Sequence, residues 1–316
     1  MQRRTILLAA AAVFAGAAFQ IRRMGAGKRQ TAEEKYPPIG KIIQVQGVDV
    51  HYTRQGSGPA IILLHGAGGN LRDFTSGLAS AMAKTNEVIS FDRPGHGYTD
   101  LDNTFGGSPM EQAAFLHAAA VQLGVTQATV LGYSLGGAVA LAWALQEPDF
   151  VQSLLLVASV SNVWPRELRL LYRSAANPVT GSVVTPVIAA FAPQNLMDTI
   201  VREVFFPQIP PDGYNELIGA DLSIRAATIR ANTRQITGLR KHIVAMAKRY
   251  GELTLPVELI HGDADTVVPV HIHSDVMAKT LPHATFTRIA GLGHGAQHFA
   301  KDEILAALGR LNALRN

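Results

Sequence analysis

A doubly wound, mostly parallel α/β sheet with a helical cap insertion is the architecture this 316-residue sequence predicts. Three observations lead there. Short apolar runs alternate with helix-like stretches between residues 41 and 160, as in the βαβ units that build a parallel sheet. Several of these runs end in glycine-rich loops, and such sheets carry their functional groups beyond the carboxyl ends of their strands. Residues 161–250 then lose the strand pattern, which resumes after them.

Lys41–Val45 and Val48–Tyr52 flank Gln46-Gly47 and read as a hairpin. Ala60–Leu64 is a continuous apolar run of the kind buried on both faces of a sheet, and it stops at His65-Gly66-Ala67-Gly68-Gly69-Asn70. A helix is expected from Asp73. Glu87–Phe91 is the next strand and ends in Asp92-Arg93-Pro94-Gly95-His96-Gly97. Met110–Gly124 has helical spacing. Thr129-Val130-Leu131 runs into Gly132-Tyr133-Ser134-Leu135-Gly136-Gly137 and straight on into the helix-like Ala138–Trp143. Ser153–Val157, Pro256–Gly262 and Thr285–Ile289 supply further strands. Residues 161–250 hold seven prolines and helical stretches such as Asp221–Arg249. The simplest reading is a cap over the active-site edge, with Val183, Val184, Val187, Ile188, Phe191, Phe205 and Phe206 available to line a pocket. The plainer alternative is an accessory subdomain that never meets substrate.

The predicted organisation is therefore an α/β core from 41–160 and 251–316, with the cap at 161–250. Residues 1–30 read as an export signal or an N-terminal membrane anchor, and 31–40 as a tether. Two arginines precede an apolar run to Phe19, and Ala15-Gly16-Ala17 offers a small-residue cleavage site. Ile6–Ile21 spans roughly 24 Å as a helix, short against about 30 Å of hydrocarbon. An exported or membrane-anchored protein is expected before a cytosolic one. The formal charge of +4 belongs to this segment: residues 1–30 hold six bases and no acid, and the remainder carries 22 bases against 24 acids. A slightly acidic body is not a nucleic-acid binder. With no cysteine, disulfides and thiolate metal sites are excluded.

The chemistry centres on Gly132-Tyr133-Ser134-Leu135-Gly136. Gly-x-Ser-x-Gly between a strand and a helix is the setting of a nucleophile elbow, a strained turn that exposes a serine hydroxyl. The glycines fit because the turn brings neighbouring backbone within the reach of a Cβ. A serine hydroxyl attacks poorly until a base takes its proton, and the base needs an orienting acid. Both follow the cap in the order serine, acid, histidine. The acid candidates are Asp263 and Asp265, after the strand ending at Gly262. The histidine is His294, in a glycine-rich loop after Thr285–Ile289.

Four ordered motifs, His65-Gly66-Ala67-Gly68, Asp92–Gly97, the elbow, and Gly262-Asp263-Ala264-Asp265 with Gly293-His294, resemble the α/β-hydrolase fold family in its cap-bearing serine esterase, perhydrolase and C–C hydrolase branch. The resemblance covers residues from about 40 to 316, the cap only in position and helical character. It implies Ser134 as nucleophile, His294 as general base and then acid, and Asp265 as orienter, with Asp263 the lesser candidate. It places the oxyanion on the backbone N–H groups of Ala67 and Leu135. It also implies that His65, His96, Asp92 and Arg93 brace loops. Relatives with haloalkane dehalogenase or epoxide hydrolase activity carry Asp at the elbow, so Ser134 points to acyl transfer instead. The expected substrate is a small apolar acyl compound, and no cofactor or metal is expected. A helix start after Pro269 explains His271 and His273 better than a metal does, and His298 receives no role. Lactonase, perhydrolase, C–C hydrolase and acyltransferase activities share the same triad. A lipid-acting membrane enzyme and a non-catalytic binding module of this fold are the remaining alternatives.

Overall fold

The computed structural model describes residues 2–75, 77–101, 106–165, 170–193 and 195–315, with side chains from residue 15 onward. Its centre is one eight-stranded sheet: β1 Lys41–Val45, β2 Val48–Gln55, β3 Ala60–Leu64, β4 Glu87–Phe91, β5 Ala128–Tyr133, β6 Val151–Val157, β7 Val257–Gly262 and β8 Thr285–Ile289. The spatial order is β1-β2-β4-β3-β5-β6-β7-β8. β2 runs antiparallel to β1 and β4, and every other pairing is parallel. The carboxyl ends of β3, β5, β7 and β8 therefore share one edge.

The helices that surround this sheet or build the cap include α1 Gln2–Lys35, α2 Pro109–Gln122, α3 Leu135–Gln146, α4 Leu170–Ala176, α5 Pro178–Phe191, α6 Leu196–Phe205, α7 Tyr214–Ile218, α8 Ala226–Ala247 and α9 Lys301–Ala313. Strand alternation divides the core between the two faces. Ile62, Leu64 and Val130 pack with α2 and α3 on one face, while Ile61, Leu63 and Leu131 pack with α9 on the other. α3 is apolar all round, and Leu135 through Leu145 are buried, as expected of a helix wedged between sheet and neighbours. α2 starts on a capping box: Ser108 Oγ accepts from the Glu111 amide and the Glu111 carboxylate accepts from the Ser108 amide.

The strand positions match the sequence expectation, with β2 reaching Gln55 and β6 starting at Val151. The helix expected from Asp73 is two short pieces, Arg72–Thr75 and Leu78–Met82. Three further features stand beside the expectations. Of residues 31–40, read as a tether, the first five continue α1 to Lys35, and the helix end is fastened down. Ala32 and Tyr36 are buried with Leu222, Tyr98 Oη donates to the Tyr36 carbonyl at 2.5 Å, and Arg225 pairs with Glu33 at 2.9 Å. Ala15-Gly16-Ala17 lies within the same continuous helix, while the side chains of the apolar run before residue 15 lie outside the described residues. The cap boundary near 250 also blurs. α8 begins in the cap, but Leu239, Ile243 and Met246 belong to the main core. Finally, the helix after Pro269 starts only at Ser274, with His273 at its N-cap. Among the described residues, no helix is long and apolar enough to cross a membrane.

Candidate active site

The junction of β5 and α3 forces Ser134 into a backbone conformation few L-residues adopt, with φ 54° and ψ −121°. Such strain costs of order 1–3 kcal/mol and persists only where surrounding structure dictates it. Here the glycines dictate it. A Cβ on Gly136 would stand 2.1 Å from the Leu64 carbonyl oxygen, and one on Gly132 would stand 2.5 Å from the Gly136 carbonyl. The turn is thus pressed directly against the end of β3. The Ser134 carbonyl is held from beyond β6 by the Val160 amide at 3.0 Å.

Two loops converge on that hydroxyl. His294 Nε2 lies 2.9 Å from Ser134 Oγ, and His294 Nδ1 lies 2.7 Å from Asp265 Oδ2. With the Nδ1–H facing the carboxylate, Nε2 is left as the acceptor for the serine hydroxyl. All three side chains are buried. Asp265 Oδ1 accepts from the Val267 and Val268 amides, each at 2.8 Å. Burial alone raises the pKa of this carboxyl, but His294 and His261 outweigh it and hold Asp265 well below the ordinary carboxylate range. Asp263, the other acid candidate, faces away and accepts from the Gly291 amide at 2.7 Å, bracing the loop that carries His294.

The loop after β3 crosses above Ser134. A Cβ on Gly66 would stand 3.1 Å from the Ser134 Cβ, so Ala67 follows directly at the mouth of the site. Leu135 opens α3, where the first N–H groups have no intrahelical acceptor. Arg93 fixes the crossing loop from below. Its guanidinium donates to the carbonyls of His65 at 2.8 Å and Gly66 at 2.7 Å, and to the amide oxygens of Gln112 and Gln235. Burial lowers the Arg93 pKa to about 9, with neighbouring Asp92 opposing the shift. His65 Nε2 accepts from the Arg93 amide at 2.9 Å while its Nδ1–H donates to the Gly66 carbonyl. His96 donates to the Pro94 carbonyl at 3.2 Å. Asp92 collects the amides of Leu71 and Tyr98 and the Nδ1–H of His51. These are loop braces.

A family model for the alpha/beta hydrolase fold matches residues 59–245. The chain belongs to the α/β-hydrolase family. Among relatives, it is 27% identical over 287 residues to 2-hydroxymuconate semialdehyde hydrolase of Pseudomonas putida, spanning 84% of this chain and 91% of that one. Among solved structures, an esterase from Exiguobacterium antarcticum superposes with a TM-score of 0.70 at 20% identity, covering 87% of this chain and all of the esterase. A membrane phospholipase A, a bacterial virulence factor, aligns with a TM-score of 0.65 at 21% identity over 99% of both chains.

Within this α/β hydrolase, some residues at the site gave no sequence signal. His261, on β7, donates from Nε2 to Asp265 Oδ2 at 3.1 Å and to the Val268 carbonyl at 2.8 Å, while Nδ1 faces Ser274 Oγ. It read only as part of a strand, because a polar residue buried within a strand looks the same whether or not it touches a catalytic loop. Asp73, which reads in the sequence only as a helix start, is buried and accepts from Tyr214, Gln297 and His298. His298, left without a role, thus meets a cap residue across that carboxylate. His273 is neither loose nor ligand-like: its Nδ1 accepts from the amides of Ser161 and Asn162.

Proposed function

We propose that this chain is a serine hydrolase that cleaves an ester or related acyl bond of a small apolar substrate through an acyl-enzyme. The supporting observation is the unbroken chain of contacts from Ser134 Oγ through His294 to Asp265, buried at the carboxyl edge of the sheet. Ser134 attacks the acyl carbon as its proton passes to His294 Nε2. The oxyanion rests on the backbone N–H groups of Leu135 and Ala67, each contributing about 2.7–4 kcal/mol to the transition state. Collapse expels the alcohol, which leaves with the proton from His294. Water then attacks the ester of Ser134 as its proton passes to His294, and the C–O bond breaks as His294 returns that proton to Ser134 Oγ, releasing the acid and the free serine. Asp265 and its partner His261 keep the imidazole in the tautomer that accepts from serine.

The test is Ser134→Ala with short p-nitrophenyl esters. Turnover is expected to vanish while the protein stays folded, and a fluorophosphonate probe should label Ser134 alone in the wild type. Retained turnover, or a label elsewhere, removes Ser134 from the reaction. Lactones, peracid formation, C–C substrates and acyl acceptors use the same groups, so a substrate panel decides among them. The 2-hydroxymuconate semialdehyde hydrolase relative puts C–C substrates on that panel.

A second reading, action on lipid esters at a membrane surface, is favoured by the N-terminal helix. α1 packs along cap helix α5. Phe19 on α1, Leu170 and Leu171 on α4, and Val179, Val183 and Phe191 on α5 are all exposed apolar side chains. The alignment with the membrane phospholipase A runs over 99% of this chain and so takes in most of α1. We infer that α1, with its arginines and no acid before Glu33, holds the cap against an anionic bilayer. Chain-length dependence of ester hydrolysis, measured with and without vesicles, separates this reading from action on small soluble esters.

A further inference from the structure

The loop bearing His294 is gripped by the cap from both sides. Ala290-Gly291-Leu292-Gly293-His294-Gly295 carries three glycines in six residues, a backbone with little stiffness of its own. Core groups hold part of it: Asp263 takes the Gly291 amide, and Tyr133 Oη donates to the His294 carbonyl at 3.2 Å. The Ala264 amide also donates to the Leu292 carbonyl at 3.0 Å, and further grip comes from the segment Phe205–Tyr214, which links α6 to α7. The Gln208 side chain straddles the loop. Its Nε2 donates to the Gly291 carbonyl at 2.8 Å and its Oε1 accepts from the Gly293 amide at 2.8 Å. Contact is close along this stretch, since a Cβ on Gly293 would stand 2.1 Å from the Phe206 carbonyl oxygen, and one on Gly295 would stand 2.8 Å from the Phe205 ring.

The turn after His294 is held by the same cap segment through a buried carboxylate. His298 Nε2 donates to Asp73 Oδ1 at 2.9 Å, Gln297 Nε2 reaches Asp73 Oδ2 at 3.2 Å, and Tyr214 Oη donates to Asp73 Oδ1 at 2.7 Å. The Tyr214 ring stands edge-on to both His298 and Phe205, with centroids at 5.0 and 4.7 Å. Burial raises the pKa of Asp73, yet these donors, His298 foremost, hold it below the usual carboxylate range. The carboxylate thus stays charged and able to accept from all of its donors.

We propose that the cap segment Phe205–Tyr214 positions His294 for the reaction, through the Gln208 amide before it and the Tyr214–Asp73 bond after it. The inference rests on the reading of His294 as the general base. Its consequence is coupling: when the cap lifts to admit substrate, the loop loses two of its restraints, and the imidazole is aligned only once the cap is seated. Gln208, Tyr214 and Asp73 are positioning residues, since the contacts described here reach the reaction through His294.

The experiment compares Gln208→Ala, Gln208→Glu and Tyr214→Phe with the full-length wild type on a short p-nitrophenyl ester. Active sites are counted by exhaustive fluorophosphonate labelling, so that misfolded protein drops out of the rate. Per labelled site, kcat is expected to fall about 10-fold in Gln208→Ala, short of the roughly 100-fold that a 1 Å misplacement can cost. Gln208→Glu keeps the acceptor for Gly293 and loses the donor to Gly291, so it should fall between wild type and Gln208→Ala. KM should change less than about two-fold, and the labelling rate constant should fall in step with kcat, because the probe needs the same proton transfer. Wild-type kcat per site in both Gln208→Ala and Tyr214→Phe, with only thermal stability reduced, overturns the proposal, as does a change confined to KM. Ser134→Ala run alongside separates the two failures. Turnover by that variant sinks the base reading and the coupling together, whereas an inert Ser134→Ala beside fully active Gln208→Ala and Tyr214→Phe sinks the coupling alone.

Discussion

His65, His96 and His273 are buried, and each uses a ring nitrogen to hold backbone: His65 and His273 accept from amides, and His96 donates to a carbonyl. Burial pushes the pKa of His65 well below its ordinary value, that of His96 to about 3 and that of His273 to about 4. All three stay neutral in the fold but take up protons near pH 6.5 when the chain unfolds. The unfolded state therefore binds more protons below that pH, and stability must fall as pH falls through the window from about 6.5 to about 3. Each group contributes a slope of up to about 1.4 kcal/mol per pH unit there. Asp265 and Asp73, both held low, add loss in the same direction below the ordinary carboxylate pKa. Denaturant midpoints at pH 8, 6, 5 and 4 should decline steadily below pH 6.5, and a flat profile down to pH 4 would contradict neutral buried imidazoles. The residues of the proposed triad were legible because each sits in a short motif at a strand end. Gln208 and Tyr214 were not, since their partners lie 83 and 141 residues away, and His261 was not, since no local pattern marks a strand residue that turns toward the next loop.

Among the elements, the elbow is where sequence and packing agree most closely. Its glycines read as sites of close approach, and the separation from β3 bears this out, with the position a Gly136 Cβ would take only 2.1 Å from the Leu64 oxygen. Gly136→Ala is expected to push α3 away from β3, costing at least the 1–3 kcal/mol typical of overpacking and abolishing ester turnover. Gly16→Ala, where an added Cβ meets nothing within 4 Å on α1, should leave both unchanged. Melting temperatures and turnover of the two variants, measured side by side, check this; a Gly136→Ala protein of normal activity would mean the junction is looser than described. The cap was legible by subtraction, as a proline-broken block without strands. The end of α1 was not. Residues 22–35 are mostly polar, and only a narrow contact around Ala32 and Tyr36 is buried, too little to stand out as an amphipathic stripe.

For the whole molecule, the charge is divided: all six bases of residues 1–30 lie on or beside α1, and the body is slightly acidic. With α1 fastened to the segment after β6 by the Lys28–Ala192 and Arg225–Glu33 contacts, that charge is held beside it. Full-length protein is expected to float with vesicles containing anionic lipid, to float less with neutral ones, and to detach as salt screens the roughly 1 kcal/mol that each surface base contributes. Removing residues 1–21, which takes away two of the six bases and the apolar run but leaves the docked end of α1 in place, should weaken flotation while short-ester turnover persists. Equal flotation of both forms would reject α1 as the membrane-seeking element.

Arg93 binds three parts of the molecule at once: the crossing loop at His65 and Gly66, α2 through Gln112, and α8 through Gln235. A lysine in its place has three donors on a single nitrogen and no planar fork, so it would strand oxygens that lie in different directions. Positions 93, 112 and 235 are in this sense one unit, and losing the fork at the first leaves the amide oxygens of the other two without their buried donor.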